Sequence, residues 1–273
     1  MKKSKKREGA GDKRAPRIIY YSDELNDEFS TAIIEPRVID KNYIYVHRSL
    51  FKSFTHFFWY RIVAMPLAFL YTKLKLGHRI VNKEVLSPYK KQGYFLYGNH
   101  TQVVGDALIP NMINKAKDKY VIVHPNNVSI PYLGRVTPSL GALPLPGDME
   151  AYRNFRSAID ERIKEGSAVV VYPEAHIWPY YTKIRPFGDV SFEYPARLGA
   201  PVFCFTNTYK KRALSKKPRV VTYVDGPFFP KEDASVREKR AQLRALVYNT
   251  MCFRAESSEV EYIKYVRKEP SDD

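Results

Sequence analysis

The chain has 273 residues, of which 44% are hydrophobic, 14% aromatic and 27% charged. These proportions exclude a disordered protein, because disordered chains are poorer in apolar residues. Lys and Arg number 45 against 29 Asp and Glu, which gives a formal net charge of +16. A charge of this size favours an anionic partner, either a nucleic acid or an acidic lipid surface.

Cysteine spacing and motif content narrow the choice of function. Cys204 and Cys252 lie far apart, without a CxxC pair or a histidine beside them, so we expect neither a disulfide framework nor a zinc ribbon. No Gly-rich nucleotide loop, GxSxG elbow or HExxH spacing occurs, and we expect no bound metal or cofactor. Zinc-finger, RNP-like and helix-turn-helix patterns are also missing from the sequence, which makes a nucleic acid the less favoured partner.

The N-terminal 17 residues carry eight basic side chains against Glu8 and Asp12. They predict a disordered, solvated tail and not a signal peptide; the alternative is a polybasic patch that attracts an acidic membrane leaflet. Beyond them, β-branched and aromatic runs at 18–21, 31–34 and 43–46 predict an N-terminal arm of strands or a hairpin.

Residues 48–79 combine six Lys or Arg with a dense set of aromatic residues and contain no acid. The longest uncharged run, 62–72, is too short to span a bilayer. One interpretation is an interfacial helical segment that inserts its rings between lipid headgroups, which its cations contact. The residues assigned to this surface are Phe57, Phe58, Trp59 and Arg61. The other interpretation is a pair of amphipathic core helices broken near Pro66.

From residue 93 onward, short apolar runs alternate with helical patterns, which predicts an α/β fold. We expect strands at 94–97, 120–123, 168–172, 202–205 and 219–224. Helices are expected at 148–165, capped by Asp148, and at about 234–254. The predicted organisation is a docking and arm region over 18–79, an α/β domain over 80–256 and a C-terminal tail over 257–273.

Two segments carry the candidate chemistry. His100 follows the strand GYFLYG, at the kind of sheet edge where α/β proteins bind ligands, and Asp106 could hold its second ring nitrogen. Taken by itself, this pair is better explained by a capping histidine and a helix-terminal aspartate. The second segment, 169–187, is a buried strand that stops at Pro173 and opens a loop rich in aromatic and ionisable residues, among them Glu174, His176, Lys183 and Arg185. A structured surface loop is the alternative there.

Four blocks in order resemble the glycerolipid acyltransferase family. They are GNHTQVVGD, PYLG through PLPG, YPEAH and APVFCF, and the resemblance covers about 50–208. It implies a mostly parallel sheet flanked by helices, preceded by membrane-docking helices. It also implies transfer of an acyl group from acyl-CoA or acyl carrier protein to a hydroxyl of a lysophospholipid or related glycolipid, peripherally at the cytoplasmic membrane face. A non-catalytic lipid-binding protein of the same fold is the alternative.

The resemblance also implies roles for individual residues. His100 is expected to be the general base and Asp106 its orienting partner, while Asn99, Thr101, Glu174 and His176 belong to the substrate-binding blocks. Within its block, Glu174 is expected to brace the backbone of the loop as structural support for the site. Two arginines that the family places on the acceptor's phosphate are replaced here by Gly147 and Ile177. Lys183 and Arg185 are the expected substitutes, with Arg135 and Arg153 as further candidates, unless the acceptor lacks that phosphate. Five residues, not the family's four, separate His100 from Asp106, which requires a bulged loop.

Overall fold

A mixed seven-stranded sheet forms the centre of the molecule. The computed structural model describes residues 16–29, 35–213 and 215–269. Within these residues the sheet has the order β2-β8-β7-β3-β6-β4-β5. The strands are β2 Arg79–Val81, β3 Tyr94–Gly98, β4 Lys119–Val123, β5 Ala142–Pro144, β6 Ala168–Val171, β7 Val202–Lys210 and β8 Arg219–Phe228.

Neighbouring strands are parallel except at β7 and β8, which pair antiparallel. Every residue of β3 is buried, because parallel strands flank it on both edges and helices cover both faces of the sheet. The mostly parallel α/β fold is thereby confirmed, and all five expected strands are present.

Helices on each side of the sheet fill two apolar cores. One core contains side chains of α4 Met149–Lys164, α5 Glu193–Leu198 and α6 Val236–Ala255, and the other contains side chains of α3 Gly105–Ile113. α4 begins where the sequence predicts, because Asp148 accepts a hydrogen bond of 2.7 Å from the Ala151 N–H. Ser235 and Glu238 form a reciprocal capping box at the start of α6.

A helical run precedes the sheet. It consists of α1 Leu50–Phe57, a π-helical turn Phe58–Ala64 and α2 Met65–Leu74. Pro66 lies in the first turn of α2, where a proline is tolerated. The π-helical turn leads directly into α2, so the helical run continues through Pro66 without a break. Tyr60, Ala68 and Thr72 face the protein. None of the helices described here is long and apolar enough to cross a membrane.

The two ends of the described chain pair with each other. β1 Arg17–Tyr21 and β9 Ile263–Arg267 form a separate parallel two-stranded sheet. β1 agrees with the predicted strand, whereas residues 43–46 form no strand and 263–267 belong to a sheet where a tail was expected. The predicted strand at 31–34 and the last four residues lie outside the described residues, as does the predicted disordered tail over 1–17 as far as residue 15. Arg17, the last residue of that predicted tail, instead begins β1.

Candidate active site

The first block turns away from the sheet directly after β3. Gly98 ends this strand, and a Cβ atom there would lie 2.1 Å from the Phe205 ring, so only glycine fits. Asn99 then joins β3 to β7, since its side-chain amide donates to the Asn207 carbonyl and its Oδ1 accepts from the Asn207 N–H at 2.7 Å. This reciprocal pair leads the next residue, His100, out of the sheet at its carboxyl edge.

His100 and Asp106 contact each other. His100 Nδ1 lies 2.8 Å from Asp106 Oδ2, and the carboxylate is almost fully buried while the imidazole is partly exposed. The longer spacing is absorbed by a tight turn, in which the Gln102 N–H donates to Asp106 Oδ2 and the Asp106 N–H donates to the Gln102 carbonyl. Gly105 allows this turn by its lack of a side chain, because a Cβ there would lie 2.8 Å from Gln102 Cβ.

The pairing decides which imidazole nitrogen is available for chemistry. An ionised carboxylate only accepts, so Nδ1 of His100 carries the proton and, in the neutral ring, Nε2 keeps its lone pair. No hydrogen bond within the described residues occupies Nε2. Burial raises the pKa of Asp106, and the hydrogen bonds from His100 and the Gln102 N–H oppose that rise. The arrangement is that of a base with an oriented ring.

The loop after β6 packs directly against this pair. The Tyr172 ring stacks on the His100 imidazole with centroids 4.5 Å apart, and its hydroxyl donates to the Asp106 carbonyl at 2.5 Å. The backbone N–H of Trp178 donates to the His100 carbonyl, and the backbone N–H of Tyr180 donates to the Thr101 carbonyl. The two segments singled out in the sequence are therefore in contact.

Two residues of this loop form a buried ion pair. Arg185 Nε lies 3.5 Å from Glu174 Oε2, and both side chains are at most 1% exposed. Burial raises the pKa of Glu174 to about 7, and the Arg185 guanidinium opposes that rise. Arg185 also donates to the backbone carbonyls of Glu174, His176 and Glu24. The guanidinium therefore holds the loop together.

This burial corrects the expectation that Asn99, Thr101 and Arg185 bind the substrate, whereas Glu174 was expected to support its loop. Arg185 and Glu174 are enclosed by protein, so neither offers a face to an acceptor's phosphate. Asn99 and Thr101 are equally enclosed, and the Thr101 hydroxyl accepts from Tyr209 at 2.7 Å. The structure assigns all four to support of the pair, not to open binding positions.

The remaining predicted residues lie nearer the surface. His176 is half-buried, with Nδ1 3.3 Å from a Glu28 carboxylate oxygen, and Lys183, Arg135 and Arg153 are exposed. No group of three or more histidine, cysteine or acidic side chains in the described ranges is placed to hold a metal ion.

The proposed membrane-facing residues divide in two. Phe57, Phe58 and Trp59 are each more than a third exposed. Arg61 instead turns inward, where it pairs with Asp118 and donates to the carbonyls of Lys115 and Ala116. The expectation that Arg61 contacts headgroups is corrected, because its charge attaches the helical run to the loop between α3 and β4.

Polar residues missed in the sequence lie behind the pair. Asn207, Tyr209, Thr222 and His78 are buried and bonded to one another or to the first block. The one signal for them was the polar stretch TNT inside an otherwise apolar strand.

Comparison with solved structures gives a likeness of fold. The 1-acyl-sn-glycerophosphate (LPA) acyltransferase PlsC from Thermotoga maritima is similar over 78% of this chain and 98% of its own, with a TM-score of 0.50 and 18% identity. No family model and no curated protein matches the sequence. The chain therefore shares the mixed, mostly parallel sheet and flanking helices of that acyltransferase.

Proposed function

We propose that this protein is an acyltransferase that moves a fatty acyl group from acyl-CoA or acyl carrier protein to a hydroxyl of a lysophospholipid or related glycolipid. The observation that carries the proposal is the His100–Asp106 pair, 2.8 Å apart at the carboxyl edge of a central parallel strand. The fold shared with a lysophosphatidate acyltransferase supports it.

The chemistry follows from the free Nε2 of His100. This nitrogen takes the proton of the acceptor hydroxyl while the oxygen attacks the thioester carbonyl. The carbon–sulfur bond then breaks, and the departing thiolate takes the proton from His100, which returns the imidazole to its neutral form. Asp106 stabilises the cation that exists between the two transfers. No nucleophilic side chain is needed, because the acceptor attacks directly.

The acceptor would be presented at an anionic membrane surface on the cytoplasmic side. Support comes from the exposed apolar side chains of the helical run, including Leu50, Phe51, Phe54 and Leu74, together with the net charge of +16. Lys183, Arg135 and Arg153 are the exposed cations left for an acceptor phosphate, since Arg185 is enclosed.

Purified protein incubated with radiolabelled acyl-CoA, or acyl carrier protein, and a panel of lysophospholipids should form an acylated lipid. His100→Ala should lower the rate by about 10²–10⁴, because this is the usual contribution of general-base assistance. His124→Ala, at an exposed histidine, is the matched control and should retain the parent rate.

Two results would contradict the proposal. Undiminished transfer by folded His100→Ala would remove the histidine from the reaction. Lipid binding by the parent protein without any acylated product, with either carrier, would instead identify a lipid-binding protein.

A further inference from the structure

A chain of buried polar side chains continues from Asp106 to the far edge of the sheet. Asn207 Nδ2 lies 3.4 Å from Asp106 Oδ1, the Thr222 hydroxyl lies 2.7 Å from Asn207 Oδ1, and His78 Nε2 lies 2.8 Å from that hydroxyl. Asn207, Thr222 and His78 are each less than 5% exposed. They come from β7, from β8 and from the segment before β2, so only the folded sheet brings them into line.

The donors and acceptors in this chain run in one direction. Ionised Asp106 can only accept, so the NH₂ group of Asn207 faces it and the amide oxygen faces Thr222. The Thr222 hydroxyl donates to that oxygen and must itself accept from His78. Burial lowers the pKa of His78 to about 4, so the ring is neutral and places its one proton on Nε2. Every link then has one donor and one acceptor.

The two oxygens of Asp106 therefore have separate partners. Oδ2 receives His100 Nδ1 and the Gln102 N–H, whereas Oδ1 faces the Asn207 amide, and the Thr101 N–H is a further, weaker donor to the carboxylate. A buried carboxylate oxygen that lacks a donor is unfavourable, and the group relieves this by rotating. Such a rotation would move Oδ2 away from His100.

We propose that Asn207 is a positioning residue for the catalytic pair, and that Thr222 and His78 fix the orientation of its amide. Asn207 holds Oδ1 of Asp106, which keeps Oδ2 on Nδ1 of His100 and so keeps Nε2 aimed at the acceptor hydroxyl. This role rests on the proposed acyltransferase function, although the hydrogen bond between His100 and Asp106 can be observed without any turnover.

Thr222→Val tests the role, because valine keeps the shape and removes the hydroxyl. We expect kcat for acyl transfer to fall about tenfold with an unchanged KM, since a misaligned base affects the transition state and not the binding of acceptor. Thr222→Ser restores the hydroxyl and should recover most of the lost kcat.

Thr208→Val is the matched control. Thr208 lies beside Asn207 on β7, is fully buried and donates its hydroxyl to the Val221 carbonyl at 2.9 Å, outside the polar chain. This variant should lose similar stability and keep its kcat. Equal kcat values for Thr222→Val and Thr208→Val, a change confined to KM, or no recovery in Thr222→Ser would each overturn the proposal.

A nuclear magnetic resonance measurement separates this proposal from the proposed function. The downfield resonance of the His100 Nδ1 proton, assigned by its loss in His100→Ala, should be present in the parent and in Thr208→Val. It should shift or broaden in Thr222→Val. An unmoved resonance overturns the positioning role even in a protein without transferase activity, whereas a moved resonance with no transfer by the parent refutes only the acyltransferase.

Asn207→Leu serves as a second variant if Thr222→Val does not fold. It keeps the approximate size of the side chain but removes the NH₂ donor that faces Asp106. The same resonance should shift, and kcat should fall with KM unchanged. An unaltered resonance and kcat would show that Asp106 needs no donor at this position.

Discussion

His78 makes a residue-scale prediction about acid stability. Its pKa is lowered from 6.5 to about 4 by burial, so between these values the unfolded chain binds a proton that the folded chain refuses. The free energy of unfolding therefore falls as the pH drops from 6.5 towards 4. His78→Gln keeps a donor for Thr222 but cannot titrate. As the pH falls from 6.5 to 4, the free energy of unfolding of His78→Gln should therefore rise relative to that of the parent by up to about 3 kcal/mol.

Urea unfolding at pH 7, 5.5 and 4 measures this difference. His124→Gln removes an exposed imidazole and controls for the loss of one histidine. A constant difference between His78→Gln and the parent at all three pH values would show that His78 takes up its proton in the folded protein.

The candidate pair could be predicted from the sequence, and its supporting residues could not. His100 and Asp106 belong to one short segment at the end of a strand, where local spacing limits their separation. Thr222 and His78 reach the pair through three strands that are distant along the chain. Arg185 was expected to bind an acceptor's phosphate, because its loop, rich in aromatic and ionisable residues, gives no sign that β1 and β9 pack near it.

At the scale of elements, the conformation of the loop after β6 depends on a cluster of aromatic side chains around Trp178. Trp178 is fully buried, with the rings of Tyr21, Phe29, Tyr181 and Tyr265 between 4.8 and 5.3 Å from its own. Its indole N–H donates to the Asp27 carbonyl at 2.7 Å. The terminal strands supply two of the four rings, Tyr21 and Tyr265, and the segment after β1 supplies Phe29. These contacts fix the loop that bonds to the His100 carbonyl.

Trp178→Phe should lower the free energy of unfolding by about 1–3 kcal/mol, because it opens a small cavity and leaves the Asp27 carbonyl without its indole donor. The only other tryptophan, Trp59, has a partly exposed ring. Trp59→Phe is therefore the matched control and should change stability by less than about 0.5 kcal/mol. Urea unfolding followed by circular dichroism compares the two, and equal losses would refute the supporting role of the aromatic ring cluster.

The central strands were predictable, because a short apolar run bounded by turn residues is most readily explained as a buried strand. β9 could not be predicted, because its sequence IKYVR mixes polar and apolar residues after a long helix. It forms a strand because it pairs with β1. β2 and β5 have three residues each, which is too short for a periodic signal. Sequence patterning thus defines the sheet's interior better than its edges.

At the scale of the whole molecule, the proposed membrane attachment would use charge and exposed apolar surface together. The net charge of +16 would attract an acidic bilayer at a distance, and the exposed rings of the helical run would then enter the interface. Because Arg61 pairs with Asp118, the long-range attraction would come from the other cations. Binding should therefore have one part that depends on salt and one that does not.

The two tryptophans allow this to be measured directly. In Trp178→Phe the remaining Trp59 lies on the helical run, so its fluorescence should shift to shorter wavelength when vesicles containing anionic phospholipid are added. Added salt should weaken the binding without abolishing it, because screening acts on charges and not on buried apolar area. In Trp59→Phe the enclosed Trp178 should not respond. An equal shift with neutral and anionic vesicles at low salt would contradict the electrostatic part, and no shift with either would refute the insertion of the helical run into the membrane interface.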